Sequence, residues 1–306
     1  MRSKEPKNLY EPEWYILQLG GKRLRPILTL LAAEAYGENP EKALPAALAV
    51  EVFHNFTLLH DDIMDQAPIR RGKPTVHKKW DINTGILSGD VMLIHSYQFL
   101  ASYQPEMHRA LADVFSKTAV EVCEGQQYDM DFESQDWVHL PEYIQMIQYK
   151  TAVLLAAALQ MGAIVAGATP EEQQKIYDFG IALGLAFQLQ DDYLDTFGDQ
   201  ATFGKKIGGD ILEHKKTWLY VKATEMIPPQ DLDSFVTLYH TASLDESEKI
   251  SQVQAVFRTY KIDVQILESI QAYSDRALYI LENLCITEKT KKSLRALVLQ
   301  LKTRNQ

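Results

Sequence analysis

Apolar residues recur along this chain at three- and four-residue steps, the spacing that lines one face of an α-helix. Ala46 to Met64 carries one on nearly every turn. Glu171 to Leu194 does the same through Ile176, Phe179, Leu183, Ala186, Phe187 and Leu189. Prolines at 26, 40, 45, 68, 74, 105, 141, 170, 228 and 229 leave long stretches uninterrupted, and no residue after Pro229 is proline or glycine. Period-two runs of β-branched residues bounded by Asn-Gly or Asp-Gly turns are missing. The pattern predicts an all-α chain with roughly ten or more helices of ordinary length. No Gly/Ser-rich linker or compositional break divides it, so a single domain over residues 1–306 is expected.

One stretch, Thr151 to Ala168, is apolar all round and about the length that spans a bilayer. It is rich in Ala and Gly rather than Leu, carries Gln160 and stands alone, which predicts a buried central helix and no membrane span. The N-terminus is charged and leads into no apolar segment, so no signal peptide is expected. Two cysteines, Cys123 and Cys285, argue against a disulfide scaffold and fit a cytoplasmic protein. With 31 Lys and Arg against 41 Asp and Glu, the net charge of −10 argues against nucleic acid as a partner. An acidic chain can still handle phosphorylated small molecules if positive charge is gathered locally.

It is gathered locally, beside acid. His60-Asp61-Asp62-Ile63-Met64-Asp65 closes one apolar helical run, and Gln190-Asp191-Asp192-Tyr193-Leu194-Asp195 closes another. Both read DDxxD. Residues four apart share a helix face, so Asp61 points with Asp65 and Asp191 with Asp195. Carboxylates crowded at the negative end of a helix repel one another and oppose its dipole. A hard divalent cation offsets both effects. All-oxygen ligands that leave room for water and phosphate suit Mg²⁺, with Asp61, Asp65 and Asp191 as first candidates. A solvated helix end with capping aspartates would explain one such motif; two matched copies are harder to explain that way.

Each acidic motif is trailed by a glycine-containing basic segment. Arg70-Arg71-Gly72-Lys73-Pro74 follows the first; Gly204-Lys205-Lys206-Ile207-Gly208-Gly209-Asp210 and then His214-Lys215-Lys216-Thr217 follow the second. Metal-binding acid beside base suits a diphosphate ester, whose oxygens Mg²⁺ bridges while Lys and Arg neutralise the remainder. A third basic cluster, Gly20-Gly21-Lys22-Arg23-Leu24-Arg25-Pro26, precedes an apolar helix expected to begin at Ile27. Guanidinium groups at a helix start can hold an anion without metal. His54, almost two turns before Asp61 on the same face, reads either as a core histidine or as a ligand.

In order along the chain, GGKRLRP, HNFTLLHDDIMD, RRGKP, Lys150-Thr151, FQLQDDYLD and GKKIGGD resemble the motifs of the trans-isoprenyl diphosphate synthases, or polyprenyl synthetases. The likeness runs from about residue 15 to at least 220. It implies an all-α isoprenoid-synthase fold around a deep central cavity, usually as a homodimer. It also implies a prenyltransferase that condenses isopentenyl diphosphate with an allylic diphosphate (dimethylallyl, geranyl or farnesyl). Both aspartate motifs, including Asp62, Asp192 and Asp195, would hold the allylic diphosphate through three Mg²⁺ ions. By matched position Lys22, Arg25, His54 and Arg71 would bind isopentenyl diphosphate. Arg70, Lys150, Thr151, Gln188, Lys205 and Lys215 would contact the allylic substrate, with Lys205 or Lys206 in the family position. The oxygen dipoles of Thr151 and Gln188 would face the allylic cation. One departure is a shorter segment before GGKRLRP than the family generally has.

In that family the product descends along the helix before the first DDxxD, and bulky residues there form a floor. At 1.5 Å per residue, Phe56 lies about 7.5 Å and Phe53 about 12 Å above Asp61. Steps of 100° put Thr57 about 40°, Phe53 about 80° and Phe56 about 140° from the Asp61 direction. The helical wheel therefore favours Phe53 as the floor, whereas the resemblance favours Phe56. An aromatic at 56 followed by small Thr57 resembles short-chain enzymes, with a C20 product expected ahead of C15. His95 and others on facing helices could overrule both residues. A class I terpene cyclase shares the first motif, but needs no second diphosphate cluster and usually lacks a second DDxxD. A non-catalytic regulatory subunit of such a synthase typically loses aspartates, and none is lost here.

Overall fold

Proline marks where many helices begin. In a computed structural model describing residues 4–198, 207–241 and 243–303, Pro105, Pro170 and Pro229 each open a helix, and Pro45 occupies the first turn of another. There the missing N–H costs nothing and the fixed φ is already helical. The protein is 80% helical. The helices are α1 (Lys7–Gln18), α2 (Leu24–Ala35), α3 (Leu44–Met64), α4 (Val76–Lys79), α5 (Ile82–Leu100), α6 (Pro105–Ser134), α7 (Leu140–Ile147), α8 (Val153–Val165) and α9 (Pro170–Phe197). They continue as α10 (Gly209–Leu212), α11 (Trp218–Met226), α12 (Pro229–His240), α13 (Glu246–Thr259), α14 (Ile262–Glu282) and α15 (Glu288–Thr303). Strands β1 (Ile69–Arg70) and β2 (Lys73–Pro74) pair antiparallel, Ile69 opposite Pro74 and Arg70 opposite Lys73.

The chain after Pro229 is divided without proline or glycine. Asp245 caps α13 by accepting from the Ser247 N–H at 2.9 Å, and Lys261 breaks the chain before α14 at a φ of 57°. Side-chain capping and one left-handed residue do what the usual breakers do elsewhere. Helix α2 begins at Leu24 rather than Ile27, with Arg23 as its N-cap at a φ of 49°. Arg25 therefore stands inside the first turn of the helix instead of in a loop before it.

The chain groups into two compact units, residues 1–116 with 157–173 and residues 117–156 with 174–306. The divisions fall inside α6, α8 and α9 rather than in linkers. In the first unit α3 packs chiefly on α5, and also on α2; α1 packs on α5. Ala46, Ala49, Val50, Phe53 and Leu59 form the buried face of α3. In the second unit Trp218, Phe235, Tyr239, Phe257 and Ile266 belong to one apolar core. In α8 every residue but Gln160 is buried. The stretch Leu140–Val165 is long and apolar enough to cross a membrane, and 72% of its most apolar window lies inside the protein.

Candidate active site

The first aspartate motif sits at the end of α3, with Asp65 as the C-cap. Asp61 is partly exposed and Asp65 exposed, whereas Asp62 is buried. A hairpin explains the difference. Arg71 and Gly72 both adopt positive φ, 53° and 73°, the combination that a two-residue turn with strand-matching twist requires. The turn places Arg70 over α3, where its Nε donates to both oxygens of Asp62 at 2.8 Å and an η nitrogen reaches Asp61 Oδ2 at 3.2 Å. Burial pushes the Asp62 carboxyl up, and Arg70 pulls the other way. The residue expected to meet substrate directly is thus first of all the partner of the motif's middle aspartate.

Beside this cluster lies a second one of different chemistry. Arg25 Nη1 is 3.1 Å from His54 Nε2. Burial lowers the Arg25 guanidinium to about 10, and Glu51 opposes that shift. Its Nε is buried and has no hydrogen-bond partner. His54 is held well below its usual value by burial and by Arg25, Arg71, Arg70 and Arg23, so the ring is neutral. Arg71 donates to the Gly20 carbonyl, and Arg23 to the Leu17 carbonyl while ion-pairing with Glu51. The sequence motifs GGKRLRP, His54 and RRGKP are therefore brought together, with Lys22 exposed at their margin.

The floor candidates share one aromatic cluster. Phe53 is 1% exposed and Phe56 8%, with ring centroids 5.6 Å apart. Phe115 of α6 meets Phe53 edge-on at 5.2 Å, and Tyr97 of α5 meets Phe115 at 4.9 Å. Phe56 packs against His60 at 4.7 Å, and the Thr57 hydroxyl donates to the His54 carbonyl at 2.8 Å. His95 instead pairs with the fully buried Glu13 of α1 at 2.9 Å.

In the second unit, α9 continues past the second motif to Phe197, so Asp195 lies within the helix. Asp191 is partly exposed, while Asp192 and Asp195 are buried. Asp192 accepts from the Tyr143 hydroxyl, from Gln188 Nε2 at 3.0 Å and from the Trp218 N–H at 3.3 Å. Burial raises its carboxyl to about 7; those three donors pull it down and Asp191 pushes it up. Asp195 accepts from the Asp210 N–H at 2.9 Å.

Lys150 and Thr151 do not stand on a regular helix. They lie in a π-helical turn, Gln148–Ala152, between α7 and α8. Such single turns carry an extra residue in the helical ladder and redirect side chains. Gly125 of α6 makes room for it: a Cβ there would lie 2.2 Å from the Lys150 nitrogen. Lys150 Nζ reaches Asp129 Oδ2 at 2.5 Å, and Thr151 donates to the Gln188 amide oxygen at 3.0 Å. Thr151, Gln188, Asp192 and Tyr143 thus form one hydrogen-bonded chain. Lys215 is 3.1 Å from Glu213, and neighbouring Lys216 is buried against the Phe132 and Gln135 carbonyls. Lys205 lies outside the described residues.

The donor chemistry fits Mg²⁺. In both motifs the middle aspartate is committed to the protein; Asp61 and Asp65 of the first, and Asp191 of the second, reach the surface as hard oxygen ligands. Among the described residues no three acidic, His or Cys side chains converge as a complete metal site. Linear sequence missed Glu51, Asp129 and Tyr143. Glu51 alone left a trace, standing one turn before His54 on the same helix.

The sequence profile described as polyprenyl synthetase matches residues 6–258. A geranylgeranyl diphosphate synthase of Methanosarcina mazei is 46% identical over 222 residues, 72% of this chain and 68% of the relative. A crystal structure of a geranylgeranyl pyrophosphate synthase superposes with a TM-score of 0.94 at 52% identity, covering 99% of this chain and 94% of the other. The corresponding synthetase from Pyrococcus horikoshii gives 0.92 at 32% identity over 98% and 91%. The all-α architecture is the isoprenoid synthase fold of these neighbours. The chain belongs to the polyprenyl synthetase family, whose members are isoprenyl diphosphate synthases.

Proposed function

We propose that the protein is a Mg²⁺-dependent prenyltransferase that condenses isopentenyl diphosphate with dimethylallyl, geranyl or farnesyl diphosphate. Its product is an all-trans prenyl diphosphate, C20 ahead of C15. The observation that carries this reading is the pairing of two unlike anion holders in the first unit. One is an aspartate cluster suited to metal; the other is a buried group of Arg25, Arg71 and neutral His54 that needs none. Two diphosphate substrates require two holders. A cyclase, with a single diphosphate, has no use for the second.

Mg²⁺, expected as three ions, would supply positive charge to the departing diphosphate. The chain's own groups do the rest. Arg25 and Arg71 hold the diphosphate of isopentenyl diphosphate, and Arg25 has an Nε donor to spare. Arg70 opposes the push of burial toward a protonated Asp62 and leaves Asp61 and Asp65 as the outward ligands. Thr151 spends its proton on Gln188, so its hydroxyl oxygen can turn lone pairs toward a developing allylic cation. The buried apolar helix α8 behind it keeps water away.

The relatives' names and the ring at Phe56 support C20. The outward row Ile82, Ile86, Leu87 and Ile94 on α5 supports a second copy of the chain as partner. The mostly buried Leu140–Val165 stretch supports a core helix rather than a membrane span, and the two-cysteine composition supports the cytoplasm. The test is purified protein with Mg²⁺, an allylic starter and labelled isopentenyl diphosphate. An elongated prenyl diphosphate is expected, and its absence with every starter would overturn the reading. Phe56→Ala should lengthen the product by mass spectrometry; an unchanged spectrum would remove Phe56 from the floor.

A further inference from the structure

Four guanidinium groups act on His54, and a group of like charges this close should force itself apart while no substrate is present. Two buried carboxylates oppose that: Asp62 is taken up by Arg70, and Glu51 faces the arginines of the metal-free group. Glu51 lies on α3 one turn before His54, 9% exposed, and its Oε1 ion-pairs with Arg23. The same oxygen accepts from Asn55 Nδ2 at 2.8 Å, which fixes the carboxylate against the helix. Among the described residues, Glu51 is the acid that acts to hold the charge on Arg25, and it acts ahead of Asp62 on Arg71. Its surroundings differ from those of the aspartates: it lies ten residues before Asp61 and faces the metal-free holder.

We propose that Glu51 is the resident counter-anion of the metal-free diphosphate subsite, standing in for the substrate's charge in the free protein and thereby setting the subsite's affinity. A fixed negative charge beside the arginines keeps them assembled before substrate arrives. It also repels the incoming diphosphate, so assembly and affinity are traded against each other. The trade has a use in the proposed reaction. The allylic partner loses its diphosphate, whereas the diphosphate of isopentenyl diphosphate stays on the product. A subsite without a resident anion would retain that product.

The inference rests on the reading that Arg25, Arg71 and His54 hold a diphosphate without metal, and one experiment separates the two. Inorganic pyrophosphate is titrated in EDTA at low ionic strength against the wild-type chain, Glu51→Gln and Glu51→Asp. Calorimetry gives the affinity and thermal melts the stability. Gln keeps an oxygen for Arg23 and Asn55 and removes only the charge. Glu51→Gln should melt lower than wild type without anion, yet bind pyrophosphate roughly three- to tenfold more tightly, the scale of one screened charge pair. Glu51→Asp, which keeps the charge, should bind close to wild type. If Glu51→Gln is unfolded alone, refolding on saturation with pyrophosphate supports the proposal, and failure to refold overturns it. Equal or weaker binding by Glu51→Gln, with wild type still binding, overturns the counter-anion role alone. Absence of binding by wild type overturns the subsite reading and this inference together.

Discussion

Asp62 and Asp192 occupy the same place in matching DDxxD motifs and are held by opposite means. Asp62 is gripped by a charge, the Arg70 fork delivered by a hairpin. Among the described residues Asp192 is held by neutral donors, Tyr143, Gln188 and the Trp218 N–H, in a setting so buried that its carboxyl rises to about 7. The outer aspartates do not follow this division as cleanly: Asp195 is buried and Asp65 is not. Identical spacing fixes which helix face a carboxylate occupies; the partner that faces it decides its charge state and rigidity. The first motif resembles a clamp with a counter-charge already in place, the second a network that a cation would complete.

The largest effects should come from the ligands that both motifs present outward. On the proposed reading, Asp61→Ala and Asp191→Ala should each lower kcat by about a thousandfold or more, because several kcal/mol of leaving-group stabilisation would depend on the metal they would help hold. Circular dichroism should show the fold intact in both. Near-wild-type turnover in either variant would remove that motif from the proposed metal-holding role.

Exchanging the middle aspartates tests the comparison itself. Asp62→Asn takes from a partly buried guanidinium its two-oxygen partner, leaving it only the longer contact to Asp61, and should cost about 2 kcal/mol or more. Asp192→Asn replaces a carboxylate whose burial already raises it to about 7, near balance between its charged and neutral forms at neutral pH, and should cost roughly 1 kcal/mol or less. In a chain of this size the first variant should melt several degrees below the second. Equal losses in a thermal melt would show that charge and neutral donors grip alike.

The helical frame was largely legible. Apolar steps of three and four residues marked out α3 and α9, and prolines marked several helix starts. Both DDxxD motifs and the convergence of GGKRLRP, His54 and RRGKP could also be read, the last through family resemblance. What escaped shares one physical cause: it depends on partners distant along the chain. Nothing near Lys150 announces Asp129, and nothing near Asp192 announces Tyr143. The π-helical turn escaped because its space comes from Gly125, a residue missing a side chain on another helix. The wheel and the resemblance disagreed over Phe53 and Phe56. The two rings touch, so each is part of the other's support.

The smallest effect concerns the charged side of the comparison and is read as pH dependence. His54 is kept neutral by burial and by four arginines, so its folded value lies well below the roughly 6.5 of an unfolded chain. Between those two values the unfolded chain binds a proton that the folded protein refuses. The associated stability is therefore present above about pH 6.5 and is lost as pH falls toward the folded value. Melting curves in EDTA from pH 8 down to 5.5 should show this decline. His54→Gln, which cannot take up a proton, should flatten it by a few degrees at the acid end. Pyrophosphate should oppose the decline as well as raise the melting point: a bound anion offsets the arginine charges that keep His54 unprotonated, and lets the folded state accept the proton too. If His54→Gln melts with the same acid slope as wild type, the arginine group does not control that histidine, and the contrast between a charged and a neutral way of holding the site would have to rest on Arg70 alone.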